Sequence, residues 1–257
     1  MGKNPVDTGH QLLKVVIGIP NEGCTRPESY DNHLISSFRL GALEQRLKME
    51  NAPIQYEFNW FTVGRILTPL AREKLVDTAM KNGADFIIMF DDDMVLPMNM
   101  FEKMLEDMVK HPDIDILGAL AFMRRPPHSP VIYNVTSGWD SVRHKDYYIN
   151  EVVKNYPKNA ILECDAVGFG AVCIRMSMVA KMTPPWFMST TATGEDILFC
   201  VNAKKIGARV FMDTGIKLGH LSDPTIIDEE MYFDYSKKHK LVVPPVKAYN
   251  KYLTKKR

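Results

Sequence analysis

Short, unbroken apolar runs alternate with stretches of helical spacing over roughly the first 120 residues, and nothing else in the chain narrows its fold as much. Leu13 to Ile19 (LKVVIGI), Phe86 to Phe90 (FIIMF) and Ile114 to Ala121 read as strands buried on both faces, and Ile54 to Trp60 reads as a further short strand. Between them, His33 to Met49 carries apolar residues at helical spacing. Thr68-Pro69 supplies a cap and a first-turn proline for a helix whose apolar face is Leu75, Val76, Ala79 and Met80, and Asn82-Gly83 ends it. Met98 to Lys110 is the next helical stretch. Strands without a polar face need helices on both sides, so the alternation predicts an α/β chain with a mostly parallel central sheet flanked by helices.

Beyond about residue 122 the grain changes. Val131 to Val135, Tyr147 to Val153, Ile161 to Ala166 and Ala171 to Arg175 are short β-like runs separated by proline, glycine and polar turns. Such a region adds strands and loops to an existing core more readily than it builds a second one. With no internal repeat and no linker, the 257 residues read as one domain. Within it, about 13–122 and 123–240 form two functional halves, and 241–257 is a basic tail. The net charge of +1 removes whole-chain electrostatic capture of nucleic acid or anionic lipid, leaving only local basic stretches at Lys237 to Lys240 and in KYLTKKR. Cys24, Cys164, Cys173 and Cys200 have neither CxxC pairing nor zinc-ligand spacing, and no run is long enough to span a bilayer. Reduced thiols in a soluble, cytoplasmic protein without membrane insertion are the expectation.

The chemistry is concentrated where strands end. Phe86 to Phe90 runs directly into Asp91, Asp92 and Asp93, at the strand end where open α/β sheets bind ligands. Three adjacent carboxylates repel one another, which makes sense around a cation; a solvated turn before the next helix is the plainer reading. Glu195 and Asp196 open a helix continued by Ile197, Cys200, Val201 and Lys204. There Thr193 and Asp196 fit a capping box, and Glu195 a favourable charge near a helix N-terminus. His220 follows a short strand, Ile216 to Leu218; with Asp91 and Asp93 it would offer the mixed nitrogen and oxygen ligands that suit manganese.

Taken in order, the P-N-E turn at Pro20 to Glu22, the segment PLAREKLVDTAMKNGADFIIMFDDDMVLP, the later VGFGAVCIR, GEDILFC and the GH pair resemble glycosyltransferases of the Rossmann-like GT-A fold, in the broad group called family 2. The resemblance runs from about Val15 to Ser222. It implies a nucleotide-sugar donor, with a UDP-sugar favoured, and a bound Mn²⁺ or Mg²⁺. Asp91 and Asp93 then stand at the aspartates of the D-x-D motif, around the variable Asp92, and His220 completes the metal shell. Asp196 matches the general base of inverting members, with Glu195 beside it. Pro20, Asn21 and Glu22 match the turn beside the nucleotide base, and Arg72 matches an arginine facing the donor pocket. Glu73 departs from the pattern, since relatives often carry asparagine there.

The implied reaction moves a sugar to a hydroxyl acceptor, which could be a glycan, a protein or a hydroxylated DNA base. Two other functions remain open: a nucleotidyltransferase acting on sugar phosphates, for which PNEGCTRPE is a poor phosphate loop, and a nucleotide-sugar-binding module without turnover. On the acceptor side, Arg124 and Arg125 either hold phosphate or occupy a solvated turn. Trp186 either offers a flat apolar face to a sugar or plugs the core.

Overall fold

Along β1 (Gln11–Asn21) successive side chains enter two different cores, and this alternation organises the molecule. Val15, Ile17 and Ile19 belong to one core with Leu40 and Leu43 of α1 (Pro27–Met49). Val16 belongs to the other, with Leu75, Val76 and Ala79 of α2 (Thr68–Lys81). A Cβ at Gly18 would lie 3.1 Å from both Leu75 methyl groups, so the close seating of α2 on the sheet depends on that glycine. The chain is described by a computed structural model over residues 10–21, 23, 26–141, 144–190, 193–222 and 225–241.

After α1 come β2 (Ile54–Gly64), then α2, β3 (Phe86–Phe90), β4 (Met94–Val95), α3 (Met100–Lys110), β5 (Ile116–Leu120), β6 (Ile132–Asp140) and β7 (Lys145–Val152). The second half continues with β8 (Ile161–Cys164), β9 (Ala166–Val167), β10 (Ala171–Arg175), α4 (Met176–Val179), α5 (Glu195–Lys205), β11 (Val210–Lys217), β12 (Gly219–Ser222), β13 (Thr225–Ile227) and α6 (Glu229–Lys238). The central sheet has the order β2-β1-β3-β10-β5-β11-β8. β2, β1, β3, β5 and β11 run one way, while β10 and β8 run against them. Two small sheets, β13-β12-β4 and β7-β6-β9, complete a mixed α/β, Rossmann-like architecture with helices on both faces of a mostly parallel sheet.

Several boundaries move for identifiable reasons. α1 starts at Pro27 rather than His33, because its first turns bury Ser29, His33 and Ser36, which carry no apolar periodicity. β2 extends to Gly64 rather than Trp60, since it pairs with β1 in unbroken parallel register from Gln11↔Ile54 to Asn21↔Gly64. Thr68 does not cap α2: Leu67 holds the cap position and Thr68 is already helical. Of the strand expected at Ile216 to Leu218, Ile216 and Lys217 close β11, and Leu218 lies between β11 and β12. Cys164, Cys173 and Cys200 are buried free thiols, whereas Cys24 and the tail beyond Leu241 lie outside the described residues. Among the described residues no helix is long and apolar enough to cross a membrane.

Candidate functional site

The carboxylate triplet leaves β3 in a tight turn, with the Asp91 amide donating to Gly170 O at 3.1 Å and the Met94 amide to Asp91 O at 3.2 Å. That turn sends its acidic side chains to different partners. Asp91 turns to Arg72, whose Nη2 is 2.7 Å from Asp91 Oδ1 and whose Nη1 is 2.5 Å from Glu195 Oε1. Only 3% of the Arg72 side chain is exposed, and its guanidinium carbon lies 5.4 Å from the centroid of the Phe169 ring. Burial alone would lower the Arg72 pKa, but the charges of Asp91, Glu195 and Asp196 outweigh it and hold the cation protonated. One buried cation on α2 thus binds the end of β3 and the start of α5, the latter 123 residues along the chain from Arg72. Asp91 keeps 30% of its side-chain surface open yet lies deep among protein atoms. That desolvation pushes its carboxyl above the usual range despite Arg72.

Asp93 meets His220 instead. Its Oδ2 is 3.3 Å from His220 Nε2 and 3.3 Å from an Arg124 guanidinium nitrogen. The partner strand β12 brings the histidine there, because His220 pairs with Met94 and the Leu221 amide donates to Asp93 O. His220 Nδ1 sits 2.7 Å from the Phe122 carbonyl oxygen. A carbonyl only accepts, so Nδ1 carries the hydrogen, and in neutral imidazole Nε2 is a bare acceptor facing a carboxylate. Burial would raise the Asp93 pKa, but His220 and Arg124 together bring it below its ordinary value. Arg124 therefore faces the site rather than occupying a detached turn. Asp92 is half-buried in the same turn.

At the start of α5 the expected capping box is absent. Gly194 is the N-cap residue, and Thr193 Oγ1 is buried without a partner. Asp196 Oδ1 accepts from the adjacent Ile197 amide at 2.8 Å. A Cβ at Gly194 would approach that same oxygen to 2.8 Å, so glycine leaves the carboxylate its room. Burial raises the Asp196 pKa, with Glu195 adding to the rise and Arg72 opposing it. Buried Tyr133 lies within the field of Asp196, and burial together with that charge pushes its phenol well up. No motif pointed to Tyr133.

Glu73, which the sequence left without a role, anchors the segment leading to α5. Its Oε2 accepts from the Trp186 amide at 2.9 Å and the Phe187 amide at 3.0 Å. Phe187 stacks on Phe199 of α5 with ring centroids 4.7 Å apart. Trp186 is partly buried against the core, and its Nε1 has no partner, which favours the plug over an open sugar platform. Replacing Glu73 by Ala strands two amides, and unfolding in urea should show a loss of about 1.5–3 kcal/mol. Glu73→Gln, which keeps one accepting oxygen, should recover part of it.

The donor-turn residues separate across the sheet. Asn21 and Ile19 share the α1 side, where they line a cavity of about 490 Å³ with Tyr30, His33, Leu34 and Trp60. Pro20 alternates to the α2 side, the face carrying Arg72. Asn21 Oδ1 accepts from the Gly23 amide at 2.6 Å, and Glu22 lies outside the described residues. The structure thus brings together Arg72, Asp91, Glu195 and Asp196 in one group and Asp93, His220 and Arg124 in its neighbour. Among the described residues no three His, Cys, Asp or Glu side chains converge as a complete metal cage.

No family model matches the chain, and no curated protein matches it by sequence. Among solved structures it is similar to protein A197 from STIV, at 17% identity and a TM-score of 0.54, covering 84% of this chain and 94% of that one. GalNAc-T7 with UDP, GalNAc and Mn²⁺ overlays at 12% identity and a TM-score of 0.48, with 82% of this chain matched to 43% of that one. CMP:2-keto-3-deoxy-manno-octonic acid synthetase complexed with CTP overlays at 12% identity and a TM-score of 0.41, covering 77% and 88%. Likeness at such identities is one of fold. It defines an α/β fold, in which the acidic turn of Asp91 to Asp93 follows the end of β3 in the central sheet.

Proposed function

We propose that the chain is a metal-dependent glycosyltransferase that moves a sugar from a nucleotide-sugar donor, with UDP-sugars favoured, to a hydroxyl acceptor. The observation that carries the reading is the Asp93–His220 pair. A carboxylate oxygen and a ring nitrogen lie 3.3 Å apart, with the far ring nitrogen already fixed on a carbonyl, so they share either the proton of an imidazolium or a cation. Mn²⁺ and Mg²⁺ fit this donor set, because such ions are commonly held by one or two protein groups and the oxygens of a bound phosphate. Asp93 and His220 would hold the ion, with Asp91 and Asp92 next to the diphosphate. When bound, the ion offsets the roughly two negative charges that develop on a nucleoside diphosphate leaving group.

The chain's own residues supply the rest. Arg124, with 54% of its side chain exposed, is free to turn from Asp93 towards a phosphate oxygen. Arg72 holds Asp91 and Glu195 in fixed positions on either side of the site. Asp196, its affinity for a proton raised by burial, is suited to accept the acceptor hydroxyl's proton as the new bond forms. A base on the face opposite the leaving group inverts the anomeric centre. The acceptor class remains a glycan, a protein or a hydroxylated DNA base.

The test is a panel of nucleotide sugars with Mn²⁺, read by thermal shift and product analysis. Release of nucleoside diphosphate supports glycosyl transfer. Release of nucleoside monophosphate would establish nucleotidyl transfer instead, and binding without turnover would identify a module. Asp93→Ala and His220→Ala should each weaken Mn²⁺ binding in the presence of UDP by at least about tenfold, measured by calorimetry, with little change in melting temperature. Unchanged Mn²⁺ affinity in both variants would remove the metal from the proposal.

A further inference from the structure

Helix α1 is inside out. The face it turns to the protein is polar for its first half, with Ser29, His33 and Ser36 buried, while Tyr30, Leu34, Ile35 and Phe38 are 57%, 42%, 54% and 72% exposed. Residues three and four apart share a helix face, so these four form one apolar stripe, flanked by exposed Ala42. The inversion has a local cause. His33 Nε2 meets Met94 O at 2.8 Å, and Asn32 makes two hydrogen bonds to the Leu96 backbone. Those polar contacts fasten the helix to the segment after the carboxylate turn and oblige its apolar residues to face out. Soluble helices ordinarily show the opposite arrangement, and a contiguous exposed apolar stripe marks a surface that another body covers.

Three features identify that body as a second copy of this chain. First, the charges flanking the stripe are self-complementary: exposed Glu28 and Asp31 lie at its N-terminal end, whereas exposed Arg46 lies towards the C-terminal end, where Lys48 pairs with Glu44 of its own helix. Two α1 helices packed antiparallel about an axis near Ser37 set Glu28 of each against Arg46 of the other. Second, Phe38 protrudes from the middle of the stripe, next to Ser37, so the same axis sets the Phe38 side chains of the two copies against each other, the reciprocal relation an isologous contact requires. Third, β2, packed beside α1, is an edge of the central sheet among the described residues, so the surface is continuous with an unpaired strand.

We propose that the protein forms a two-fold dimer through antiparallel α1 helices, with Phe38 of each copy packed on the apolar stripe of the other. The contact uses the outward face of α1 and none of the residues assigned to the transfer chemistry. Sedimentation equilibrium between about 1 and 100 µM should show a dimer of the 29.3 kDa chain. Phe38→Glu should weaken association at least about 30-fold, as loss of a central aromatic anchor does, with an unchanged circular dichroism spectrum because the side chain is outside the core. Glu28→Arg and Arg46→Glu should each weaken the dimer, and the two together in one chain should restore it, a rescue that only antiparallel self-pairing provides. A wild-type monomer at about 100 µM, a dimer unaffected by Phe38→Glu, or failure of the charge swap to recover association would each overturn the proposal.

Discussion

Replacing Arg72 by Met should destabilise the protein by about 3–5 kcal/mol, more than any other single change at the site. The magnitude follows from what remains behind. Arg72 is 3% exposed and lies between Asp91 and Glu195, with Asp196 in its field. Removing it leaves acidic groups clustered without a cation, in a place where burial already disfavours at least two of them as anions. In a chain of this size the loss corresponds to a fall of roughly 6–20 °C in melting temperature. Arg72→Lys should not rescue it, because an ammonium cannot present two parallel donors to carboxylates on opposite sides. Partial recovery on adding Glu195→Gln, in a double-mutant cycle, would separate charge from packing on Phe169. A variant as stable as the wild type would show that the network contributes nothing to the fold.

The second large effect is on turnover. Asp196→Asn should lower transfer by roughly 10² to 10⁴-fold while donor binding changes little, since the diphosphate is assigned to other residues. Its effect on stability has a definite sign. The Asp196 carboxyl titrates above its ordinary value, so the wild-type fold is favoured most below the unfolded-chain pKa of about 3.9. That advantage is lost as pH rises through the folded value. Asparagine has no such titration. The stability of Asp196→Asn relative to wild type should therefore increase from about pH 3 upward and level off above the folded pKa, leaving the variant at least as stable at neutral pH. Denaturant unfolding across pH, with turnover on the same preparation, checks both halves. An unstable variant with normal turnover per folded molecule would make Asp196 structural only.

Glu73 shows how a departure from a pattern can be informative without being legible. A carboxylate beside Arg72 in α2 looks like a surface residue in the sequence, and only the path of residues 184–187 reveals two amides waiting for it. Arg124 was visible as one of two arginines in a proline-rich turn, but its approach to Asp93 is a tertiary contact between the segment after β5 and the turn before β4. The capping box at Thr193 and Asp196 fitted the local pattern and does not form. There the competing demands of Arg72 on Glu195 and of burial on Asp196 override a contact usually worth about 1 kcal/mol.

Local periodicity was enough to place the strands Leu13 to Ile19 and Phe86 to Phe90, the helices of the first half, and a carboxylate triplet at a strand end. Each depends on neighbours a few residues away, and burial writes that dependence directly into the order of apolar residues. What the periodicity could not contain is which carboxylate faces which partner. Asp91 finds Arg72 and Glu195 because β10 enters the sheet antiparallel between β3 and β5 and carries Phe169 under the guanidinium. Asp93 finds His220 because β12 pairs with β4. Similarly, the order of residues in α1 reads as an ordinary amphipathic helix, and only its hydrogen bonds to Met94 and Leu96 decide that the apolar side faces outward. These outcomes are set by strand register and by contacts between residues far apart in sequence, and local spacing carries no record of either.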